Sequence, residues 1–463
     1  MQDDTLQDAA GLTGDVSTWN APGGIDLERL LEAGPVVPEA SGPLTYDEVL
    51  APYVIVFCIA FVFSYAFTPI MRRVAVLSNI VDSPDGGRKL HTRPVAYLGG
   101  VAIFIGMIVS LALGQFFSAV HSDGGSLRFP APIFAGLFVI TGLGLIDDVR
   151  GVRPVLKILG QVAAAVCLLL FGVGDDVLGQ ITAFFFEWLH VNLSLQVPMA
   201  VEAATATVAS WGFVIALVVF CCNASNLMDG LDGLCGGVTA IIAAGLVFVT
   251  ASVALMSGTP ATDAVRVALA LALFGAVLGF LPFNFNPASI FMGDAGSLLM
   301  GFVVAVSIIL LGDAGAKWML GGLVMFSLPV LDTALAFARR WTAGRPLFSA
   351  DKHHFHHQLI NRNLSVRQAV VVSYALTIFF VAAGAMLVFF RTRYAVAFYL
   401  VLFGSIIVAA YKMGMVHERI RVGPEAEPEP EPEPADEPLA DAVAPRPAEP
   451  SASPSGVPAV ASA

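Results

Sequence analysis

Charge is what this chain has least of. Asp, Glu, Lys and Arg make up 13% of its 463 residues, about half the share of a soluble domain, and that scarcity excludes an ordinary soluble fold. Cysteine is nearly as rare. The five present (Cys58, Cys167, Cys221, Cys222 and Cys235) lie in or beside apolar runs, so they read as small core hydrophobes, not as disulfides or a thiolate metal site. The acidic opening stretch lacks a basic start followed by an apolar run, so no cleavable signal peptide is expected. Internal repeats are absent, as is a matching pair of broken apolar segments in two halves, which weighs against a secondary transporter. With 24 Lys and Arg against 36 Asp and Glu, no nucleic-acid partner is expected.

Apolar sequence is what the chain has in abundance: 57% of residues are hydrophobic and the mean hydropathy is +0.78. A membrane-crossing helix needs roughly 20 apolar residues. Eleven such spans can be threaded, at 51–70, 97–118, 131–146, 156–174, 205–224, 237–257, 264–282, 298–312, 317–338, 369–390 and 394–411. The expected fold class is an all-α polytopic integral membrane protein, with its transmembrane body over 51–412. The stretch 178–200 is apolar but interrupted by Glu187, His190, Asn192 and Pro198; it reads as an interfacial hairpin or a short amphipathic element. Residues 1–50 are expected to form an acidic, largely disordered segment. Residues 413–463, with their Glu-Pro repeat, are expected to form a disordered acidic tail.

Lys and Arg in short loops set the orientation. With the N-terminus outside, the inner loops carry Arg72, Arg73, Arg88, Lys89 and Arg93, then Arg150, Arg153 and Lys157, then Arg339, Arg340, Arg345, Lys352, Arg362 and Arg367. The outer loops keep only Arg128, Arg266, Lys317, Arg391 and Arg393. An odd span count then puts the C-terminus inside, so the threading is N-out, C-in.

In this threading the polar residues gather on the inner face. The first inner loop, Asp82-Ser-Pro-Asp85-Gly-Gly-Arg88-Lys89-Leu-His91-Thr-Arg93-Pro94, ends in Gly99-Gly100; its cations and histidine suit phosphate oxygens, or simply set orientation. Asp147-Asp148 closes the third span, with Lys157 nine residues after Asp148. Such a pair can hold one carboxyl as a base, assist a metal, or cap a helix. Asn223, Asn226, Asp229 and Asp232 recur every three residues on one slowly drifting helical stripe. Oxygen donors of this kind suit Mg²⁺, which binds through few side chains plus substrate phosphates. Asp294 stands just before an apolar helix, where a metal ligand and an N-cap are equally well placed. Phe291 could stack on a base or pack. Asp332 precedes Asp351 and the cluster His353, His354, His356 and His357. Without nearby Cys, these imidazoles read as donors to phosphate, one able to shuttle a proton, ahead of a Zn²⁺ site.

Together these segments resemble the polyprenyl-phosphate N-acetylhexosamine-1-phosphate transferase family. The stretches that carry the likeness are Arg88-Lys-Leu-His91…Pro94…Gly99-Gly100, Asp147-Asp148…Lys157, Asn223-x-x-Asn226-x-x-Asp229-Gly-x-Asp232-Gly-Leu, Asn286-Pro-Ala-x-x-Phe-Met-Gly-Asp294-x-Gly-Ser297 and His354-x-His356-His357. They occur in the family's order over about residues 50–412. The resemblance implies Asn226 and Asp294 as Mg²⁺ ligands, with Asp229 close to the metal and Mn²⁺ as an alternative ion. It implies that Asp232, Asn284 and Phe291 hold the uridine, and that Asp147 or Asp148 is the acid–base group near the lipid phosphate. His354, His356 and His357, with Arg88 and Lys89, would contact the diphosphate and lipid phosphate. His91, Lys157 and Asn223 complete the implied substrate-binding set, and Asp229, Asp232, His354 and His356 join the catalytic one.

The first loop and the His-x-His-His arrangement resemble the branch that uses UDP-HexNAc donors to start O-antigen, teichoic acid or other surface glycans. Val95-Ala96-Tyr97 departs from that branch's Pro-containing approach to the Gly pair. The implied reaction moves a HexNAc-1-phosphate, GlcNAc-1-phosphate above all, from the UDP-sugar to undecaprenyl phosphate at the cytoplasmic face of a bacterial inner membrane. UMP is released, and a homodimer is one assembly this body allows. Two rivals are the same chemistry on UDP-MurNAc-pentapeptide and, from another class, a proton- or ion-coupled transporter using intramembrane acids.

Overall fold

The computed structural model describes residues 45–82, 94–121, 127–257, 260–342, 344 and 354–412. Arg88, Lys89, His91, Asp351 and His353, with both tails, lie outside the described residues, as does the side chain of His356. The elements in chain order are α1 (Tyr46–Leu50), α2 (Val54–Leu77), β1 (Val81–Asp82), β2 (Val95–Ala96), α3 (Gly99–His121), α4 (Ala131–Arg150), α5 (Pro154–Leu170), α6 (Gly179–Leu193), α7 (Met199–Met228), α8 (Leu234–Ser257), α9 (Pro260–Asn284), α10 (Gly293–Ala314), α11 (Ala316–Met325), α12 (Ser327–Thr342), α13 (Phe355–Asn361), α14 (Val366–Leu387) and α15 (Thr392–Lys412).

Each of the eleven expected spans falls on a helix or, at 317–338, on the α11–α12 pair. Among the described residues, eight helices are long and apolar enough to cross a membrane. The α11–α12 pair makes a ninth only as a segment bent by 69°, while α5 and Val396–Ile406 are shorter apolar helices. The single span read over 317–338 is thus two helices set at an angle. Pro329, near the start of α12, has no N–H for the carbonyl of Met325 and crowds that turn. Over 178–200 the chain forms α6, 15 residues long with Phe184, Phe185, Trp188 and Val191 exposed. At 1.5 Å per residue that is too short to span.

The bundle is organised around α10. Gly293 and every residue from Ala295 to Gly312 are buried, as befits a helix that is apolar on all sides, and α3, α4, α7 and α11 pack around it. Arg266, counted among the outer cations, is 4% exposed. It pairs with Asp263 and donates Nε–H to the Leu310 carbonyl at 2.7 Å. It therefore ties α9 to α10 inside the protein and is no free loop charge.

The connection between α2 and α3 meets the one between α9 and α10. There β1 and β2 pair antiparallel, Val81 opposite Ala96 and Asp82 opposite Val95, and Ala96 bridges to Ile290. The Phe291 N–H donates to the Ala96 carbonyl at 2.8 Å, and the Gly99 and Gly100 N–H groups donate to the carbonyls of Phe291 and Met292 at 3.0 and 2.8 Å. Gly100 is required by this approach: a Cβ there would lie 2.1 Å from the Gly296 nitrogen. The start of α10 is thereby clamped to the first loop.

Candidate active site

The amino end of α10 is the point on which the polar motifs converge. A helix start leaves backbone N–H groups without intrahelical partners. Here the Asp294 and Ala295 N–H groups donate to Asp148 Oδ1 and Oδ2 at 2.7 and 3.0 Å. Asp148, at the end of α4, thus caps a different helix from its own. Gly293 permits this: its φ is +68°, and a Cβ would stand 2.5 Å from Asp148 Oδ2.

The neighbouring carboxylate faces elsewhere. Asp147 Oδ1 accepts the Val152 N–H at 2.6 Å, which folds the α4–α5 turn back on itself, and Oδ2 lies 2.6 Å from Lys157 Nζ. The same ammonium contacts Asp294 Oδ2. One Lys charge therefore sits between two carboxylates 147 positions apart in the sequence, Asp147 and Asp294. The other oxygen of Asp294 accepts an N–H from Asn226 at 2.6 Å; Asn226 Nδ2 also donates to Ser297 Oγ at 3.0 Å. Asn223, one turn earlier on α7, donates to Gln161 Oε1 and to the Val219 carbonyl, both at 2.7 Å.

The 229–233 loop between α7 and α8 closes the other side. Asp232 Oδ2 accepts the Asn286 Nδ2–H at 3.0 Å and the Ala288 N–H at 2.9 Å. Asn284 is 2% exposed; its Oδ1 accepts the Gly233 N–H and its Nδ2 donates to the Ile290 carbonyl. Both ends of that amide are spent on backbone, so it shapes the loop without offering a group to solvent. Tyr374 on α14 donates its hydroxyl to the Gly233 carbonyl at 2.5 Å, and Arg367 donates to the Asn286 carbonyl at 3.0 Å. Burial, with the carboxylates of Asp294, Asp148 and Asp232 adding to it, pushes the Asp229 carboxyl up to about 8. Tyr97, whose ring centroid lies 5.9 Å from that of Phe291, is raised above the usual phenol range by burial and by Asp82, Asp148, Asp229 and Asp294.

Asp332 and His354 form a separate, nearly buried pair. Asp332 Oδ1 accepts the Phe355 N–H at 2.7 Å, and Oδ2 lies 3.4 Å from His354 Nδ1. His357 is half-buried in α13, whose backbone also carries position 356.

Asp147, Asp148, Lys157, Asn223, Asn226, Asp229, Asp232, Asn284, Phe291 and Asp294 thus gather at one end of the bundle. Sequence reasoning had not singled out Gln161 or Tyr374. The signal for Gln161 was available: an amide in the apolar helix α5, one turn past Lys157, is costly unless bonded. Among the described residues no group of three or more His, Cys, Asp or Glu is arranged to hold a metal ion. The donor chemistry nevertheless fits a hard cation that binds through few side chains. Asp294 shares one positive charge with Asp147, and Asn226 spends its N–H groups while keeping a carbonyl oxygen.

Comparison with known proteins gives a consistent picture. The profile of glycosyl transferase family 4 matches residues 131–312, which contain the Asp147, Asn226 and Asp294 motifs. A Bacillus subtilis protein named "Probable undecaprenyl-phosphate N-acetylglucosaminyl 1-phosphate transferase" is 31% identical over 381 residues, covering 81% of this chain and 96% of that protein. The decaprenyl-phosphate N-acetylglucosaminephosphotransferase of Mycobacterium tuberculosis H37Rv is 32% identical over 369 residues, 76% of this chain and 85% of that one. A phospho-N-acetylmuramoyl-pentapeptide-transferase of Bacillus cereus is 30% identical over 326 residues, 66% and 87% respectively.

Proposed function

The chain belongs to glycosyl transferase family 4, and from that premise we propose that it transfers N-acetylglucosamine 1-phosphate from its UDP-sugar to undecaprenyl phosphate. An oxygen of the lipid phosphate attacks the sugar-bearing phosphorus of the diphosphate in line. The bond to the UMP oxygen breaks, giving undecaprenyl-diphospho-sugar and UMP. One P–O–P linkage replaces another, so the step is close to isoenergetic and depends on positioning and charge compensation. The observation that carries the reading is the meeting of Asp147, Lys157, Asn226 and Asp294 at the start of α10.

Each residue then has a task. Asn226, Asp229 and Asp294 would hold Mg²⁺, or Mn²⁺ in its place, which when bound neutralises the diphosphate. Lys157 keeps Asp147 and Asp294 from repelling each other and supplies a donor for phosphate oxygens. Asp147 takes the acid–base role beside the lipid phosphate. Asp148 has both oxygens on backbone N–H groups, so its part is to fix the start of α10. Asp232 and Phe291 bound the nucleoside side of the site, and Asn284 keeps their loops together. Arg88, Lys89, His91, His354, His356 and His357 contact the diphosphate and lipid phosphate, with Asp332 behind His354.

In the membrane we assign eleven crossings, N-terminus out and C-terminus in, with the site at the cytoplasmic face of a bacterial inner membrane. A panel of UDP-sugars offered to the purified protein with undecaprenyl phosphate, with the lipid product weighed by mass spectrometry, tests the donor. The mass of undecaprenyl-diphospho-N-acetylglucosamine is expected. A product formed only from UDP-MurNAc-pentapeptide would reassign the chain to the other branch.

A further inference from the structure

One polar group beside the site is incompletely bonded. Gln161 is 0% exposed on α5, and among the described residues its Nε2 has no hydrogen-bond partner. Its Oε1 is engaged, accepting from Asn223 Nδ2 at 2.7 Å. The second Nδ2 hydrogen of Asn223 goes to the Val219 carbonyl, also at 2.7 Å. A main-chain oxygen can only accept, so the atom facing it must be nitrogen, and the network fixes which way the Asn223 amide points. Both N–H groups of Asn223 are consumed. Only its Oδ1 is left to offer. Asn226 is in the same condition, with Nδ2 directed at Asp294 Oδ1 and Ser297 Oγ. Two amides three residues apart on α7 therefore present oxygens and no donors.

We propose that Gln161 is a positioning residue for the transfer reaction: it holds Asn223 so that its carbonyl oxygen meets a hydrogen-donating ligand. That ligand is either a cation-bound water or a hydroxyl of the sugar nucleotide. The proposal rests on the sugar-1-phosphate transferase reading given above. A buried amide in an apolar helix is costly, and the incompletely bonded Nε2 adds to that cost. A side chain serving packing alone would be better placed as Leu or Met. The contact with Asn223 is what the amide provides that they cannot.

The test compares Gln161→Met with Gln161→Glu, whose carboxyl still accepts from Asn223. Two binding arms run without lipid acceptor, so neither depends on turnover. The first is Mn²⁺ affinity by electron paramagnetic resonance without nucleotide; the second is UDP-N-acetylglucosamine affinity by calorimetry. If the ligand is cation-bound water, Gln161→Met weakens Mn²⁺ binding about 10–100-fold, the usual cost of losing an outer-shell partner. If it is a sugar-nucleotide hydroxyl, the same loss falls on the UDP-sugar while Mn²⁺ binding stays unchanged. Gln161→Glu stays close to the unmodified protein in both arms. Gln161→Met with unaltered affinities, or Gln161→Glu as impaired as Gln161→Met, overturns the proposal. Should Gln161→Met not fold, Gln161→Asn, too short to reach Asn223, makes the same comparison. An unmodified protein that neither binds the UDP-sugar nor releases UMP would sink the transferase reading itself; an active one with an indifferent Gln161→Met would sink this inference alone.

Discussion

At the scale of single residues, the site is a problem in placing negative charge near a membrane. Asp294 shares its charge with Lys157 and Asn226, whereas Asp229 is held up to about 8 by burial and neighbouring acids. Asp294→Asn removes the charge that Lys157 and the proposed Mg²⁺ would share, and exchange of labelled UMP into the UDP-sugar is expected to fall to background. Near-normal exchange would refute its assignment as a ligand. The sign for Asp229 follows from its raised carboxyl. Below pH about 4 both folded and unfolded chains keep the proton, so there is no difference between them. Between about 4 and 8 the unfolded chain ionises first, and stability without metal falls as pH rises. Asp229→Asn should therefore melt higher than the unmodified protein at pH 8 in a metal chelator, and show no gain at pH 4. The same proton competes with a cation, so Mn²⁺ affinity of the unmodified protein should rise with pH toward about 8 and flatten above it.

Among the elements, α10 and the end of α4 form one mechanical unit. Gly293→Ala would strain a backbone at φ +68° and drive a methyl into the Asp148 carboxylate. An ångström of misplacement can cost about a hundredfold in rate, so turnover should fall steeply while UMP exchange and turnover fall together. Asp148→Ala should lower stability by about 1 kcal/mol or more, the usual cost of losing a cap, read as a lower melting temperature. The helices were legible because apolar run length in a membrane leaves little choice of element. The 69° bend at α11–α12 was less so: Pro329 lay inside a run, 317–338, that read as a single span. Site residues such as Asp229 stood out because each is expensive in an apolar chain. Their partners did not. Asp148 read as a base, a metal ligand or a helix cap, and it caps a helix that starts 146 residues away, and Gln161 has a partner 62 residues on. Pairings across such distances are set by packing, which spacing along the chain does not record.

For the whole molecule, the sites at the ends of α4, α7, α9 and α10 share one end of the bundle, and α6 lies in a connection at the other. In our orientation, Phe285→Cys should react with a membrane-impermeant thiol reagent only from the inside and Val191→Cys only from the outside, both side chains being exposed. Labelling of both from one side would contradict that arrangement. The central claim is that these distant segments make one cation-dependent transfer site. Its most direct measurement is UMP release by purified protein given UDP-N-acetylglucosamine, with undecaprenyl phosphate and Mg²⁺ each added or withheld. The account predicts UMP equal in amount to lipid-linked product, only when both are present. UMP release that does not require the lipid, or no release with everything supplied, would contradict it.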